Sequence, residues 1–168
     1  LKAHRVALVE PVAYPKDSVR AIAFSDSIIA TGSLDHTIKL WKPDGTLINT
    51  LNGHQDQIYS IAFSPSGQMF ASASLDKTIK LWTQKGQLIT TLSGHTDGVR
   101  SVAFNPDGTL LASGSRDRTV ILWNLEQVLK TNSAIAACRW LSNYLSTNAA
   151  IGESERSLCQ RQNIRNEP

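Results

Sequence analysis

Residues 34–41 read LDHTIKLW, and this stretch decides the fold because it recurs along the chain. Residues 75–82 read LDKTIKLW and residues 116–123 read RDRTVILW, so Trp41, Trp82 and Trp123 stand 41 residues apart. The pairs Gly53-His54 and Gly94-His95 keep the same spacing. A fixed period of this length indicates a repeat architecture in which each copy is one supersecondary unit.

The sequence of each copy predicts four short strands joined by tight turns. In the second copy we expect strands at about residues 58–63, 69–74, 78–82 and 87–92. Ile79 and Leu81 alternate with Lys80, which is the period of a strand, and Pro65 and Gly67 suit turn positions. A sheet this small must stack on its neighbours to bury its apolar surface. The predicted fold is all-β, with three stacked four-stranded antiparallel sheets and a short C-terminal helical tail.

The chain is expected to have three parts. Residues 1–15 are interpreted as a remnant strand of a preceding unit and a linker, residues 16–130 as three repeats, and residues 131–168 as a helical tail. Three units are fewer than the about four to eight that close a β-propeller. We therefore expect the sequence to be the last part of a longer array.

A unit of about 40 residues with Gly-His, four strands and a tryptophan resembles the WD-40 repeat of β-propellers. The end of the chain resembles the tails of bacterial WD-40 arrays, which implies the C-terminal portion of such an array. Repeats of this family contain a buried hydrogen-bond chain of His, Ser or Thr, Asp and Trp. The members implied here are His54, Ser72, Asp76 and Trp82 in the second copy, His95, Ser113, Asp117 and Trp123 in the third, and Thr31, Asp35 and Trp41 in the first, where Tyr14-Pro15 replaces Gly-His.

The resemblance also implies that one face of the repeats binds partners, through two positions in each copy. These positions are Arg20, Tyr59 and Arg100 in the first strand, and Leu34, Leu75 and Arg116 before the turn aspartate. Their identities vary while the surrounding motif is nearly constant. Arginine and tyrosine are enriched in the residues that dominate binding energy at protein interfaces. We therefore expect a non-enzymatic protein–protein interaction scaffold or sensor platform, whose partners are other proteins or further WD-40 blades.

Two alternatives stay open. Ser72, His54 and Asp76 are the residue types of a hydrolase triad, although a catalytic set occurs once in a chain and this one recurs. The other alternative is a truncated array that only associates with itself.

Composition and charge exclude several classes of partner and cofactor. The formal net charge is +3 and basic residues are not clustered, so neither nucleic acid nor membrane is expected as a partner. His4 and His36 have no second ligand at metal spacing, and glycine-rich phosphate loops are absent, so we expect no metal and no cofactor. Cys138 and Cys159 make no disulfide framework, which favours the cytoplasm.

Overall fold

The computed structural model describes residues 17–131, and these residues form three antiparallel sheets and one short helix. The strands are β1 (Val19–Phe24), β2 (Ile29–Ser33), β3 (Ile38–Trp41) and β4 (Leu47–Leu51) in the first sheet, β5 (Ile58–Phe63), β6 (Met69–Ser74), β7 (Thr78–Thr83) and β8 (Leu88–Ser93) in the second, and β9 (Val99–Phe104), β10 (Leu110–Ser115) and β11 (Val120–Asn124) in the third. Each strand pairs with the next along the chain. The predicted fold class is confirmed.

The third sheet differs from the expected four strands, because three strands are seen in the described part of the chain. After β11 the chain enters the helix α1 (125–131). The side chain of Asn124 accepts a hydrogen bond of 3.1 Å from the backbone N–H of Gln127, which caps the first turn of this helix. The sequence LEQVLK at 125–130 consists largely of good helix formers and has no turn glycine, so it does not continue the β-meander.

The described part of the chain divides between two compact units, one ending at Trp123 and one beginning at Asn124. The remnant strand expected in residues 1–15, the tail expected beyond α1, and both cysteines lie outside the described residues. Within residues 17–131, no helix is long and apolar enough to cross a membrane.

The sheets of the first unit stack in chain order, with their first strands β1, β5 and β9 in contact. Ile38 and Leu40 from the first sheet share one apolar core with Ile58, Ile61 and Phe70 from the second. Burial of such aliphatic and aromatic side chains contributes about 1.5–3 kcal/mol each, so the contacts between sheets dominate stability.

Two edges of this stack carry the turns. The upper edge consists of the turns at 33–37, 74–78 and 115–119 together with the segments that lead into β1, β5 and β9. The lower edge consists of the turn at 25–28 and the glycine-containing turns at 42–46, 64–69, 83–87 and 105–110. Glycines with φ between 68° and 89° complete the lower turns, as at Gly67 and Gly108. The predicted site residues are distributed between the upper edge and the sheet interior.

Candidate binding edge and buried hydrogen-bond chains

Four side chains of the second copy form one continuous hydrogen-bond chain. The Nε1 of Trp82 lies 2.8 Å from the Oγ of Ser72, and the Nε2 of His54 lies 2.7 Å from the same oxygen. The Nδ1 of His54 lies 2.7 Å from Oδ2 of Asp76. Because the indole can only donate, Ser72 accepts from Trp82 and donates to His54, which in turn donates to the carboxylate. Ser72, His54 and Trp82 are buried.

The third copy repeats this arrangement with nearly the same distances. His95 lies 2.8 Å from both Asp117 and Ser113, and the Nε1 of Trp123 lies 2.9 Å from the Oγ of Ser113. In the first copy, the Nε1 of Trp41 donates to the Oγ1 of Thr31 at 2.9 Å. Tyr14 and Pro15, which replace the Gly-His pair, lie outside the described residues.

A threonine in each copy extends the chain, and the sequence analysis missed it. The Oγ1 of Thr78 donates to Oδ1 of Asp76 at 2.7 Å, and Thr119 donates to Asp117 at 2.6 Å. The signal was present, since a threonine follows the turn aspartate by two residues in every copy. With Thr78 on one oxygen and His54 on the other, the carboxylate of Asp76 fixes the turn to the buried interior.

Hydrogen bonding governs the pKa of both aspartates. Burial by itself raises the pKa of Asp76, but hydrogen bonds from His54, Thr78 and the backbone N–H of Gln55 outweigh burial and lower that pKa well below its ordinary value. For Asp117 the hydrogen bond from Thr119 is the largest cause of the lowered pKa, with burial acting against it. Both side chains are therefore carboxylates at neutral pH.

The Ser72 hydroxyl is poorly suited to nucleophilic attack. Its residue has no exposed surface, and its oxygen lies between the buried rings of His54 and Trp82. A nucleophile needs a site about 3 Å away where the reacting atom of a substrate can lie. The buried set therefore has the residue types of a triad but no access for a substrate.

The six predicted partner-binding residues all lie at the upper edge. Arg20, Tyr59 and Arg100 are each the extra residue of a β-bulge, at the point where the pairing of the first and second strands shifts register. A bulge leaves its extra residue out of the ladder and re-aims the side chain. The sequence motif alone did not reveal these bulges, because no glycine or proline marks them.

The other three residues stand beside the bulges. The backbone N–H groups of Leu34, Leu75 and Arg116 donate to the carbonyls of residues 18, 57 and 98, at 2.9–3.0 Å. These bonds hold the start of the upper turn against the segment that precedes the first strand. Each bulged residue therefore lies two positions after the residue whose carbonyl accepts one of these hydrogen bonds.

Two copies contribute to one surface at this edge. The guanidinium carbon of Arg100 lies 3.9 Å from the ring centroid of Tyr59, which is a cation–π contact between the third and second copies. The hydroxyl of Tyr59 donates to Oε1 of Gln57 at 3.0 Å. Leu75 packs over Gly98, since a Cβ at Gly98 would lie 2.4 Å from the Cδ2 of Leu75. Leu75, Tyr59 and Arg100 thus form a pre-organised patch, in which Arg100 is exposed.

Groups of three or more metal-ligating side chains are not found in residues 17–131. His36 lies 4.0 Å from Asp56, and both side chains are nearly half exposed. This contact joins the upper edges of the first and second copies and has the geometry of a loose surface ion pair, which contributes little to stability.

Stacked β-meanders with a buried His–Ser–Asp–Trp chain and a variable upper edge define the class of β-propeller repeat arrays. Residues 12–42, 45–83 and 86–124 match the family described as WD domain, G-beta repeat. The chain belongs to the WD40 repeat family, as its sequence predicted.

The relatives that the chain matches include three fungal proteins. A 44-residue stretch is 54% identical to nuclear distribution protein PAC1 of Tuber melanosporum and 54% identical to nuclear distribution protein nudF of Aspergillus terreus. It is 46% identical to nuclear distribution protein nudF of Emericella nidulans. The stretch covers 26% of this chain and 10% of each relative, so the match spans about a tenth of the length of these relatives.

Proposed function

We propose that the chain is a non-enzymatic scaffold or sensor platform that binds other proteins through its upper edge. The observation that carries this proposal is the β-bulge at Arg20, Tyr59 and Arg100. Bulges cluster beside functional sites because they redirect one side chain without disturbing the rest of the sheet. The family match supports the same role, because WD40 repeats serve as protein-interaction modules.

The chemistry of the patch suits a protein partner. Tyr59 offers an amphipathic ring, Arg100 an exposed guanidinium already held against that ring, and Leu75 an apolar side chain packed on Gly98. Side chains that are fixed before binding lose less conformational freedom when a partner arrives. Arg20, Leu34 and Arg116 extend the same surface along the other two copies.

The hydrogen-bond chains are proposed to be structural. Their role would be to hold each upper turn against the sheet beneath it, so that the bulged residues keep a fixed position. A buried polar network in which every member has its partner favours one arrangement of the strands. Among residues 17–131, no buried side-chain nitrogen or oxygen lacks a hydrogen-bond partner, which supports this role.

We also propose that the chain is not an enzyme, because Ser72 and Ser113 are buried. The test is labelling of the folded chain with a fluorophosphonate probe, which modifies activated serines. Labelling that disappears in Ser72→Ala or Ser113→Ala would support the hydrolase alternative and overturn this part of the proposal. We expect no labelling, and no requirement for a cofactor.

Two further proposals concern the cellular location of the chain and the larger protein to which it belongs. We propose a cytoplasmic location, without nucleic acid or membrane as a partner, from the modest net charge and the sparse cysteines. We also propose kinship with the C-terminal portion of a bacterial WD-40 array, with three parts bounded at residues 15 and 130. A reading frame upstream of Leu1 that encodes no further 41-residue units would contradict the larger array.

Affinity capture tests the binding proposal. The tagged chain, Tyr59→Ala and Arg100→Ala would be incubated with an extract of the source cells, and the bound proteins compared by quantitative mass spectrometry. Lys85→Ala is the matched control, because Lys85 is an exposed cation at the lower edge. We expect at least one protein to be recovered with the wild type and with Lys85→Ala and to be depleted roughly tenfold in the two upper-edge variants, since loss of such an anchor costs more than about 1 kcal/mol. Equal recovery with all four proteins, each with an unchanged circular dichroism spectrum, would contradict the proposal.

A further inference from the structure

The boundaries between neighbouring copies at the upper edge share four equivalent positions. The first boundary, between the first and second copies, consists of His36, Asp56, Tyr59 and Leu75. The second boundary, between the second and third copies, consists of Lys77, Asp97, Arg100 and Arg116, each 41 residues further along the chain. Counting histidine as neutral, the first boundary has one carboxylate and no cation, whereas the second has one carboxylate and three cations. Equivalent parts of one scaffold therefore carry opposite net charge.

The cations of the second boundary are carried by three backbone segments that meet at Gly98. Leu75 of the second copy packs over Gly98 of the third, and a Cβ built on Gly98 would lie 3.1 Å from the Cα of Leu75. Lys77 follows Leu75 by two residues in the same upper turn. The backbone N–H of Arg116 donates to the carbonyl of Gly98 at 2.9 Å, and Arg100 follows Gly98 by two residues. The second boundary is thus a cationic surface around an apolar centre.

No carboxylate within residues 17–131 forms an ion pair with these three cations. All three residues are exposed. The carboxylates of Asp76 and Asp117 instead accept hydrogen bonds from the histidine and threonine of their own copies. The Oδ1 of Asp97 accepts a hydrogen bond of 2.6 Å from the backbone N–H of Gly98. The described residues therefore leave the three cations available to carboxylates of another molecule.

Tyr59 holds the head group of Arg100 in place before any partner arrives. The guanidinium carbon lies 3.9 Å from the centroid of the tyrosine ring, and the ring is itself held by the hydrogen bond from its hydroxyl to Gln57. A guanidinium in contact with an aromatic ring keeps its N–H donors, which match the two oxygens of a carboxylate. Because Arg100 is already positioned, binding costs less conformational freedom.

We infer that the second boundary binds a segment of a partner protein that is rich in aspartate and glutamate. Arg100 and Arg116 form paired hydrogen bonds with its carboxylates, and Lys77 adds attraction as a point charge. Leu75 contacts the apolar parts of the segment between the charges. This inference rests on the proposed function, because it names the kind of partner that the same upper edge binds.

The arrangement favours a carboxylate-rich protein segment over other anions. Carboxylates spaced along an extended segment match cations on three separate backbone segments, whereas a single phosphate group needs cations that converge on one point. A nucleic acid has a continuous row of phosphates. Along the upper edge that row would continue from the second boundary to the first boundary, where the fixed charge is negative.

Fluorescence anisotropy tests the chemistry of the partner. The full chain would be titrated into a fluorescein-labelled peptide of alternating glutamate and alanine. A peptide of the same length with glutamine in place of glutamate is the control, and a labelled single-stranded DNA of similar length is the competing anion. We expect the glutamate peptide to bind roughly tenfold more tightly than either, since the glutamine peptide forms no ion pairs. Added salt should weaken binding of the glutamate peptide, because exposed charges are screened.

Substitutions locate the site. Arg100→Gln and Arg116→Gln should each weaken binding of the glutamate peptide by roughly fivefold, the effect of losing one exposed ion pair. Arg20→Gln is the matched control, because Arg20 is the exposed arginine at the equivalent bulge of the first copy and the same charge is removed. It should bind like the wild type. Arg100→Lys should fall between wild type and Arg100→Gln, because lysine keeps the charge but not the paired donors.

Each outcome supports or overturns the inference, provided that all variants keep the wild-type circular dichroism spectrum. Tight binding of the glutamate peptide that Arg100→Gln and Arg116→Gln weaken and Arg20→Gln leaves unchanged supports it. Equal effects of all three substitutions overturn it, because binding would then follow net charge alone. Binding of DNA as tight as that of the glutamate peptide also overturns it.

The proposed function can survive the failure of this inference. Absence of binding to the glutamate peptide, together with loss of a captured protein in Tyr59→Ala and Arg100→Ala, overturns the acidic partner and leaves the upper edge as a protein-binding surface. Absence of both overturns the inference and the proposed function together.

Discussion

His54 and Trp82 meet at one hydroxyl group, with the Nε2 of His54 2.7 Å and the Nε1 of Trp82 2.8 Å from the Oγ of Ser72. His54 precedes β5 and Trp82 lies in β7, and their rings are set edge to face, with centroids 6.5 Å apart. One small side chain therefore satisfies two buried aromatic nitrogens.

Ser72→Ala should destabilise the fold by about 3 kcal/mol, because each buried group left without a partner costs about 1–3 kcal/mol. Thr31→Ala is the matched control in the first sheet. There the Oγ1 of Thr31 accepts a hydrogen bond from the Nε1 of Trp41. Because Trp41 is only partly buried, the expected loss is about 1 kcal/mol. Chemical denaturation gives both free energies of unfolding. Equal losses would mean that the hydrogen-bond chain of the second sheet is no stronger than the Thr31–Trp41 pair of the first sheet.

Acid should weaken the fold through Asp76. Its pKa is lowered in the folded state, so its contribution to stability is complete above the ordinary aspartate pKa of about 3.9 and is lost as the pH falls toward the folded value. Asp76→Asn should lower stability at pH 7 and flatten the decline below about pH 5. Urea midpoints measured from pH 7 to pH 3 check the sign. A difference between wild type and variant that stays constant over this range would contradict the argument.

Close approach of a tryptophan ring limits substitution at Gly53 and Gly94, whereas Gly114 lies in open space. A Cβ on Gly53 would lie 2.8 Å from Cη2 of buried Trp82, and one on Gly94 would lie 3.1 Å from Cη2 of Trp123. Gly53→Ala should therefore cost about 1–2 kcal/mol, more than Gly94→Ala. Gly114→Ala meets open space and should stabilise the fold by about 0.4–1 kcal/mol, by reducing the freedom of the unfolded chain. Thermal unfolding of the three variants gives the order, and the reverse order would contradict it.

The sequence predicted the repeat and its strands well, because period and turn chemistry are local signals. Strand β6 begins and ends where the pattern around Pro65, Gly67 and Leu75 predicts. The fate of the chain after Trp123 was harder to predict. The choice between a fourth strand and α1 depends on Asn124 acting as a helix cap, and an asparagine suits a turn equally well.

The repeat motif predicted where the candidate binding residues lie in the sequence. It did not show that β-bulges place three of them. The bulges at Tyr59 and Arg100 arise from pairing with β6 and β10, which a single strand does not reveal. The contact between the guanidinium of Arg100 and the ring of Tyr59 depends on the stacking of two sheets. Contacts between copies follow from this tertiary arrangement, whereas the motif describes one copy at a time.

Strain at the upper turns gives a further prediction. His36, Lys77 and Arg118 each have φ 70°, a left-handed conformation that glycine adopts freely and that strains a lysine or an arginine. Lys77→Gly should therefore raise the free energy of unfolding, by up to about 1 kcal/mol once the greater freedom of glycine in the unfolded chain is deducted. Lys77→Val should lower it by about 1–2 kcal/mol, because a β-branched side chain suits this conformation least.

Thr83, at the other end of β7, provides the control for Lys77. Thr83 ends β7 and is already β-branched, so Thr83→Val changes the hydroxyl without entering the left-handed region. Urea denaturation of all three variants separates backbone strain from the loss of a polar group. If Lys77→Gly and Lys77→Val were both less stable than the wild type by the same amount, contacts of the lysine side chain would hold the turn. If backbone strain dominates, glycine is the most stable of the three residues at position 77 and valine is the least stable.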